Sequence, residues 1–526
     1  MSTPRDLLVG IDAGTSMVKA VAFDRHGRQV AVTALPNAYA DVGGGGVEQD
    51  MARTWDDTAR VLRSLAEQVD DLAARTATLA VTAQGDGTWL VDEAGEPVAP
   101  AWLWLDSRAA YIVERLRGDG TGARTYALTG SGLNACQQGI HLLWLKEHRP
   151  DLLASTATAM HCKDWLYLKL TGERATDPAE GTFTFGDFRE RGYAPEVLDL
   201  LGAPELRRLL PRIVEGTREH HPLTTDAAFA TGLQAGLPVV LGYVDVACTA
   251  LGGGLYDPGG RDVGCSVIGS TGMHMRLARS AGEVRLNDAK TGYTMVFPVP
   301  GTFSQMQSNM AATLNIDWLV DRAGEILGAF GEQRPRGEVL SLLDARAAEA
   351  RPGTLLYHPF ISAAGERGPF VDSSARAQFL GLTTTTGFFD LARAVYEGLC
   401  LAARDCYAAM GRTPDEVRMT GGAARSPTLR HLLASVLGVP VRTTLREETG
   451  AAGAAMMAAV RLGFYPDMAA CCAEWIDPFL GALEEPDPAL ARRYDALFPV
   501  YQSGHRAMTE VWRGLAQSRQ GDLGHA

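Results

Sequence analysis

One stretch near the start constrains the fold more than any other: LLVGIDAGTSMVKAVAFD, residues 7–24. An apolar run from Leu7 to Ile11 gives way at once to an acid, a glycine and two hydroxyls, Asp12, Gly14, Thr15 and Ser16, before a second alternating run from Val18 to Phe23. After the turn DRHG a third run, Gln29–Ala34, completes three antiparallel strands. Trp55, Thr58, Leu62, Leu65 and Val69 then recur near helical spacing, and TLAVTAQ follows as a buried strand. The expectation is an α/β layer. At the tip of its first strand, Gly14 lets the chain turn tightly, so that backbone N–H groups and the Thr15 and Ser16 hydroxyls face a phosphate, while Asp12 orients a hydrated Mg²⁺. No G-x-x-x-x-G-K-[ST] loop is present. Taken alone, DAGT reads equally well as a plain hairpin turn.

The pattern returns. After PVVLGYVDVACTALGGG, the run GCSVIGSTGMHMRLA again places a Gly/Ser/Thr turn between two strands, with Gly269 lying 255 positions after Gly14. A chain of 526 residues exceeds one typical core, so this repeat predicts two related domains across a cleft. The boundary falls near Gly252–Gly254, giving residues 1–251 and 252–526, with those glycines as a hinge. The GGGG at 43–46 reads as a loop tip, and three later segments read as strand–helix pairs: FLGL…YAAM, VRMTGGAARSPTLRHLLASVLGVPV and ETGAAGAAMMAAVRLG.

Composition narrows the partners. A net charge of −13 with no basic run argues against nucleic acid. The N-terminus lacks the pattern of a secretory signal, and no run of about 18 apolar residues offers a membrane span. Eight scattered cysteines without a C-x-x-C pair read as reduced thiols of a cytoplasmic protein. REHHPL at 218–223 reads as a loop, without a second ligand cluster that would make it a metal site.

In order and spacing, GIDAGTSMVKAVAFD, WLWLDSRA, LLWLKEH, GYVDVACTALGGG, GSTG, FLGL…DLARAVYEG, TGGAARSPTLRHLLASVLGVPV and ETGAAGAAMMAAV resemble the FGGY carbohydrate kinases. The resemblance covers nearly the whole chain. It implies two ribonuclease-H-like domains of the actin/hexokinase/Hsp70 superfamily closing over Mg·ATP and a sugar or polyol. It places Asp12, Gly14, Thr15 and Ser16 in the first phosphate motif, Gly269, Ser270 and Thr271 in the second, and Gly421, Gly422 and Ser426 in the adenosine motif. Lys19 reaches phosphate or is a surface lysine beside a turn. Asp245 matches the family's catalytic base; as the first residue of a short helix it also suits an N-cap.

On the substrate side, VTAQGDGTW occupies the place where glycerol kinases resemble NQRETT and xylulose kinases resemble GQMHG. Gln84, Gly85 and Asp86 stand there, with Trp102, Trp104, Asp106 and Arg108 close by, and the glycine is expected to open space for a substrate longer than glycerol. QGDGTW and WLWLDSRA together look most like the erythritol kinases, so the resemblance implies phosphorylation of erythritol. Trp102 or Trp104 as core, and Asp106–Arg108 as an intradomain ion pair, remain open, as do a ketopentose or glycerol substrate and a non-catalytic nucleotide switch on the same superfold. Where the family's first signature has lysine, this chain has His141, read as packing or surface. The C-terminal helical segment packs on its own domain or, in a homodimer, on a second subunit.

Overall fold

The computed structural model describes residues 5–522. The opening stretch forms β1 (Leu7–Ala13) and β2 (Met17–Asp24), joined antiparallel with Ile11 opposite Ala20, and β3 (Gln29–Pro36) extends them. Helix α1 (Met51–Gln68) starts where the Asp50 carboxylate accepts the Arg53 N–H, and it covers this layer. The chain then enters β4 (Thr76–Ala83), parallel to β1; short β5 (His221–Pro222) and β6 (Pro238–Leu241) complete a six-stranded sheet of order β5-β6-β4-β1-β2-β3. REHHPL therefore ends in an edge strand, where the expectation was a loop. Helix α2 (Asp245–Gly252) follows β6.

The second half repeats this order. Strands β7 (Val263–Ile268), β8 (Gly272–Ala278), β9 (Tyr293–Val296), β10 (Phe303–Asn309), β11 (Glu416–Thr420), β12 (Val441–Thr444) and β13 (Leu480–Glu484) form a sheet of order β9-β10-β8-β7-β11-β12-β13. β7–β8–β10 is an antiparallel run and β11 lies parallel to β7, as β4 lies to β1. Strand 378–380 from FLGL pairs outside this sheet. Helices α3 (Phe388–Ala409), α4 (Pro427–Leu437) and α5 (Thr449–Arg461) alternate with the later strands. The C-terminal helices α6 (Pro488–Ala507) and α7 (Thr509–Asp522) pack on their own half: Tyr494 and Tyr501 are buried in its core, and the Tyr494 hydroxyl donates to Glu397 at 2.7 Å.

The alanine-rich α5 decides how the halves meet. By sequence it belongs to the second half, yet it packs on β1 and β4 of the first sheet and along α2. Its residues 449–459 are buried and small apart from two methionines, so backbones come into contact. A Cβ on Gly10 of β1 would lie 2.5 Å from the Ala451 carbonyl oxygen, and one on Gly453 would lie 2.0 Å from that of Cys248. Gly252–Gly254 close α2 beside the start of α5, and Gly254, at φ 88°, turns the chain toward β7. Among the described residues no helix is long and apolar enough to cross a membrane.

Candidate active site

Both glycine–hydroxyl turns lie at the ends of central strands. In the first, the Thr15 hydroxyl donates to Gln84 Oε1 at 2.9 Å and accepts from the Trp104 indole at 2.7 Å, while the Gln84 amide donates to Gln49. Ser16 is exposed. In the second, the Gly269 and Ser270 carbonyls receive the N–H groups of Thr313 and Ala312, where the next helix begins. Neither Gly14 nor Gly269 has a positive φ, so the tight turn expected at Gly14 is one that other residues could also adopt. These positions are open: a Cβ on Gly269 or Gly422 would meet no protein atom within 4 Å, and one on Gly14 only the Met17 carbonyl at 3.5 Å.

Gly421 and Gly422 line a second, larger cavity of about 670 Å³ together with Lys19, Arg425, Arg430 and Glu448. Lys19 bonds Glu448 at 2.8 Å, an ion pair joining the two halves of the chain. Ser426, expected here, lies outside the lining. It caps α4, its hydroxyl accepting the Leu429 N–H and donating to Asp344.

Asp12 and Asp245 form the acidic centre. Burial, opposed by Lys19 and reinforced by Glu448, pushes the Asp12 carboxyl up to about 6. Burial and the Asp12 charge hold Asp245 well above the usual carboxylate range, against the backbone N–H of Val246. The Asp12 charge reaches Asp245, and two neighbouring carboxylates suit a hard divalent cation, so Asp12, with Asp245 near, is the pair that could hold Mg²⁺. A different cluster, His161, Asp164 and Glu180, has ligand-type atoms within reach of one another, but the Lys163 ammonium fills it, at 2.7 Å from Asp164 and Glu180 and 2.8 Å from Asp177. It is a buried ion-pair network.

Thr15, Gln84, Asp86, Trp104, Asp245 and Thr271 meet around a cavity of about 180 Å³. Asp86, at φ 54°, is held in the left-handed region by its N–H, which donates to Glu180 Oε1 at 3.0 Å. Its Oδ2 accepts from the Tyr293 hydroxyl at 2.9 Å, and its buried Oδ1 has no partner. Burial raises its carboxyl, against the pull of Tyr293, His161 and Arg367. Gly85 does not open space for a longer substrate: a Cβ there would lie 2.3 Å from Val244 Cγ2 and 3.0 Å from Glu180 Oε1, so the volume is already packed.

Asp106 and Arg108, expected at the substrate, stand behind the cavity. Asp106 is buried, accepts the Val47 N–H and pairs with Arg108 at 2.7 Å; Arg108 also bonds Glu48 and stacks on Trp102, 3.6 Å from the ring centroid. Trp102 is core and Trp104 a wall. His141 is fully buried, bonds Thr88 at 3.0 Å and is held down to about 4 by burial, hence neutral packing. Arg367 and Tyr293, both cavity-lining and both from the second half, escaped the sequence reading. Their signals were slight: a charged pair inside the loop AAGERGPF and a tyrosine after KTG.

Two glycine turns, paired acids and two cavities lined from both halves make up the candidate site. Sequence models of the N-terminal and C-terminal domains of the FGGY family of carbohydrate kinases match residues 7–252 and 265–462. The chain belongs to that family. The kinase is 51% identical to the erythritol kinase of Brucella abortus over 98% of each chain. It is 29% identical to the L-xylulose/3-keto-L-gulonate kinase of Escherichia coli, covering 94% of this chain and 95% of that one. The crystal structure of xylulose kinase from Rhodospirillum rubrum superposes on the kinase with a TM-score of 0.85 at 26% identity, covering 96% of this chain and all of the other (100%). The two-domain, actin- and hexokinase-like fold is thereby that of the sugar kinases.

Proposed function

We propose that this kinase transfers the γ-phosphoryl group of ATP to a terminal hydroxyl of erythritol, giving erythritol 4-phosphate, in the cytoplasm. The observation that carries the reading is the 180 Å³ cavity lined by both Asp245 and Asp86, a carboxylate with one unpartnered oxygen. Its volume is below the roughly 300–1,000 Å³ of sites for drug-sized ligands, which suits a small polyol. The similarity to the Brucella enzyme over both full chains supports erythritol among the small polyols. Eight buried, unpaired cysteines suit a reducing compartment.

In this reading Asp245 accepts the proton of the substrate hydroxyl as its oxygen attacks the γ-phosphorus and ADP leaves. A carboxyl raised by burial and by Asp12 is a stronger base than an exposed one. The open backbone at Gly14 and Gly269 receives the phosphates, and the cavity at Gly421 and Gly422 receives the adenosine. Mg²⁺, when bound at Asp12, supplies charge neutralisation for the phosphates and the neighbouring carboxylates.

The test is a phosphotransfer assay with erythritol, glycerol, xylulose and ribulose under matched conditions, with the product's phosphorylated position read by NMR. The expected result is the highest kcat/KM for erythritol, because a site built for its fourth hydroxyl leaves buried polar groups unpaired when glycerol occupies it. Faster turnover of xylulose or ribulose would remove the erythritol reading and leave the family assignment intact. No transfer to any sugar or polyol would favour the nucleotide-switch alternative.

A further inference from the structure

We infer that Arg367 determines substrate specificity: its guanidinium donates to the polyol hydroxyl farthest from the one phosphorylated, forming with Asp86 a donor–acceptor pair that reads that end of the molecule. The inference rests on the polyol-kinase reading above and deepens it.

The backbone that presents Arg367 is pinned. The buried Glu366 carboxylate accepts the N–H groups of Met310 and Arg367, each at 2.9 Å, and the Gly368 carbonyl accepts from Asn309 at 2.9 Å. The side chain is oriented from two sides. Its Nε donates to the Ser308 hydroxyl at 3.1 Å, and its guanidinium lies 5.5 Å from the centroid of the Trp104 ring. Among the described residues no carboxylate pairs with it, and its two terminal nitrogens have no hydrogen-bond partner, although the residue lines the cavity. An arginine so positioned offers donors and no acceptor.

Asp86 offers the complement. When ionised its carboxylate only accepts, and Oδ1 is buried without a partner. A hydroxyl both donates and accepts, so one placed between Asp86 and Arg367 satisfies both groups at once. The Arg367 charge acts on this end of the cavity: it is among the groups that pull down the carboxyl of Asp86, the phenol of Tyr293 and the thiol of Cys136. The acids at the phosphate end answer to other neighbours, Asp12 to Lys19 and Glu448, and Asp245 to Asp12, Glu180 and Lys163. Since Asp86 and Trp104 come from the first half and Arg367 from the second, a polyol bound this way is gripped by both.

The experiment crosses an arginine substitution with removal of one hydroxyl. Wild type, Arg367→Met and Arg367→Lys are assayed with erythritol and with its terminal-deoxy analogue, butane-1,2,3-triol of matching configuration, and the KM for ATP is measured in parallel. In wild type the missing hydroxyl should cost about 10–100-fold in kcat/KM, the range for leaving a buried polar group unpaired. In Arg367→Met the KM for erythritol should rise about 10–100-fold, the ratio between the two substrates should fall toward one, and the KM for ATP should stay near wild type. Arg367→Lys, which keeps the charge but not the fork, should fall between and serves if the methionine variant does not fold. A substrate ratio unchanged by both substitutions, or a raised KM for ATP with an unchanged KM for erythritol, would overturn the inference. If wild type prefers xylulose, the erythritol reading has failed by itself. The ratio of xylulose to 1-deoxyxylulose then tests Arg367 by the same criterion.

Discussion

Replacing Asp12 with asparagine should stabilise the ligand-free protein while disabling it. The Asp12 carboxyl is pushed from an ordinary 3.8 up to about 6, chiefly by burial. At about 1.36 kcal/mol per pH unit, that difference bounds the cost of keeping it ionised in the folded state at about 3 kcal/mol. Solvent reaching the half-buried carboxylate lowers the figure, and relief of Asp245, whose own carboxyl is raised by the Asp12 charge, adds to it. The sign follows from proton binding. Between about pH 4 and 6 the folded state holds a proton that the unfolded chain has released, so wild-type stability falls as pH rises through this window and stays reduced above it. Asparagine carries no such penalty. The assay is thermal unfolding in EDTA without nucleotide, at pH 4.5 and 7.5, beside turnover in Mg·ATP. With roughly 2–4 °C per kcal/mol for a folding unit of 150–250 residues, Asp12→Asn should melt up to about 10 °C above wild type at pH 7.5. The gain should shrink at pH 4.5, and turnover should be lost. A variant no more stable than wild type at pH 7.5, or one equally stabilised at both pH values, would refute the reasoning.

Asp245→Asn should keep nucleotide binding by calorimetry while kcat falls about 10²–10⁴-fold, the usual contribution of a positioned base; near-normal turnover would remove Asp245 from the chemistry. Gly269→Val places a side chain in open space and should leave the melting temperature unchanged while raising the KM for ATP. Unchanged ATP kinetics would mean that the turn is structural. Gly85→Ala, by contrast, drives a methyl to 2.3 Å from Val244 Cγ2 and should cost about 1–3 kcal/mol of stability in denaturant unfolding, with loss of activity as Asp86 shifts.

The parts of this molecule that could be read from sequence are those whose chemistry is local. A strand, a glycine–hydroxyl turn and a second strand are contiguous in residues 7–24, and the same triplet recurs at 263–278, so the duplicated sheet and its two glycine turns were legible. ETGAAGAAMMAAVRLG reads as a strand–helix pair, with nothing in it to say that its helix would lie on the sheet of the other half. Ser426 and Asp106 show the opposite failure. Each is the right residue type beside the right motif, yet one is used as a helix cap and the other as an ion-pair partner behind the cavity wall. The lysine-centred network of Lys163, Asp164, Asp177 and Glu180 is assembled from two helices, and a run of charged letters gives no warning that it is fully buried. Arg367 reaches the cavity from a loop more than 250 residues beyond Trp104, a juxtaposition that only the closed fold creates.

The contact between α2 and α5 restricts how this enzyme can move. Where one helix backbone rests on another, no side chain can swing aside and no gap can open without exposing bare peptide, so turning about that line costs less than parting the two helices. Asp245 opens α2, and the Asp12 carboxylate lies against Gly450 of α5, so both acids lie close to the axis. Points on the axis travel least. A motion about that axis would therefore carry the spacing of the two acids through almost unchanged.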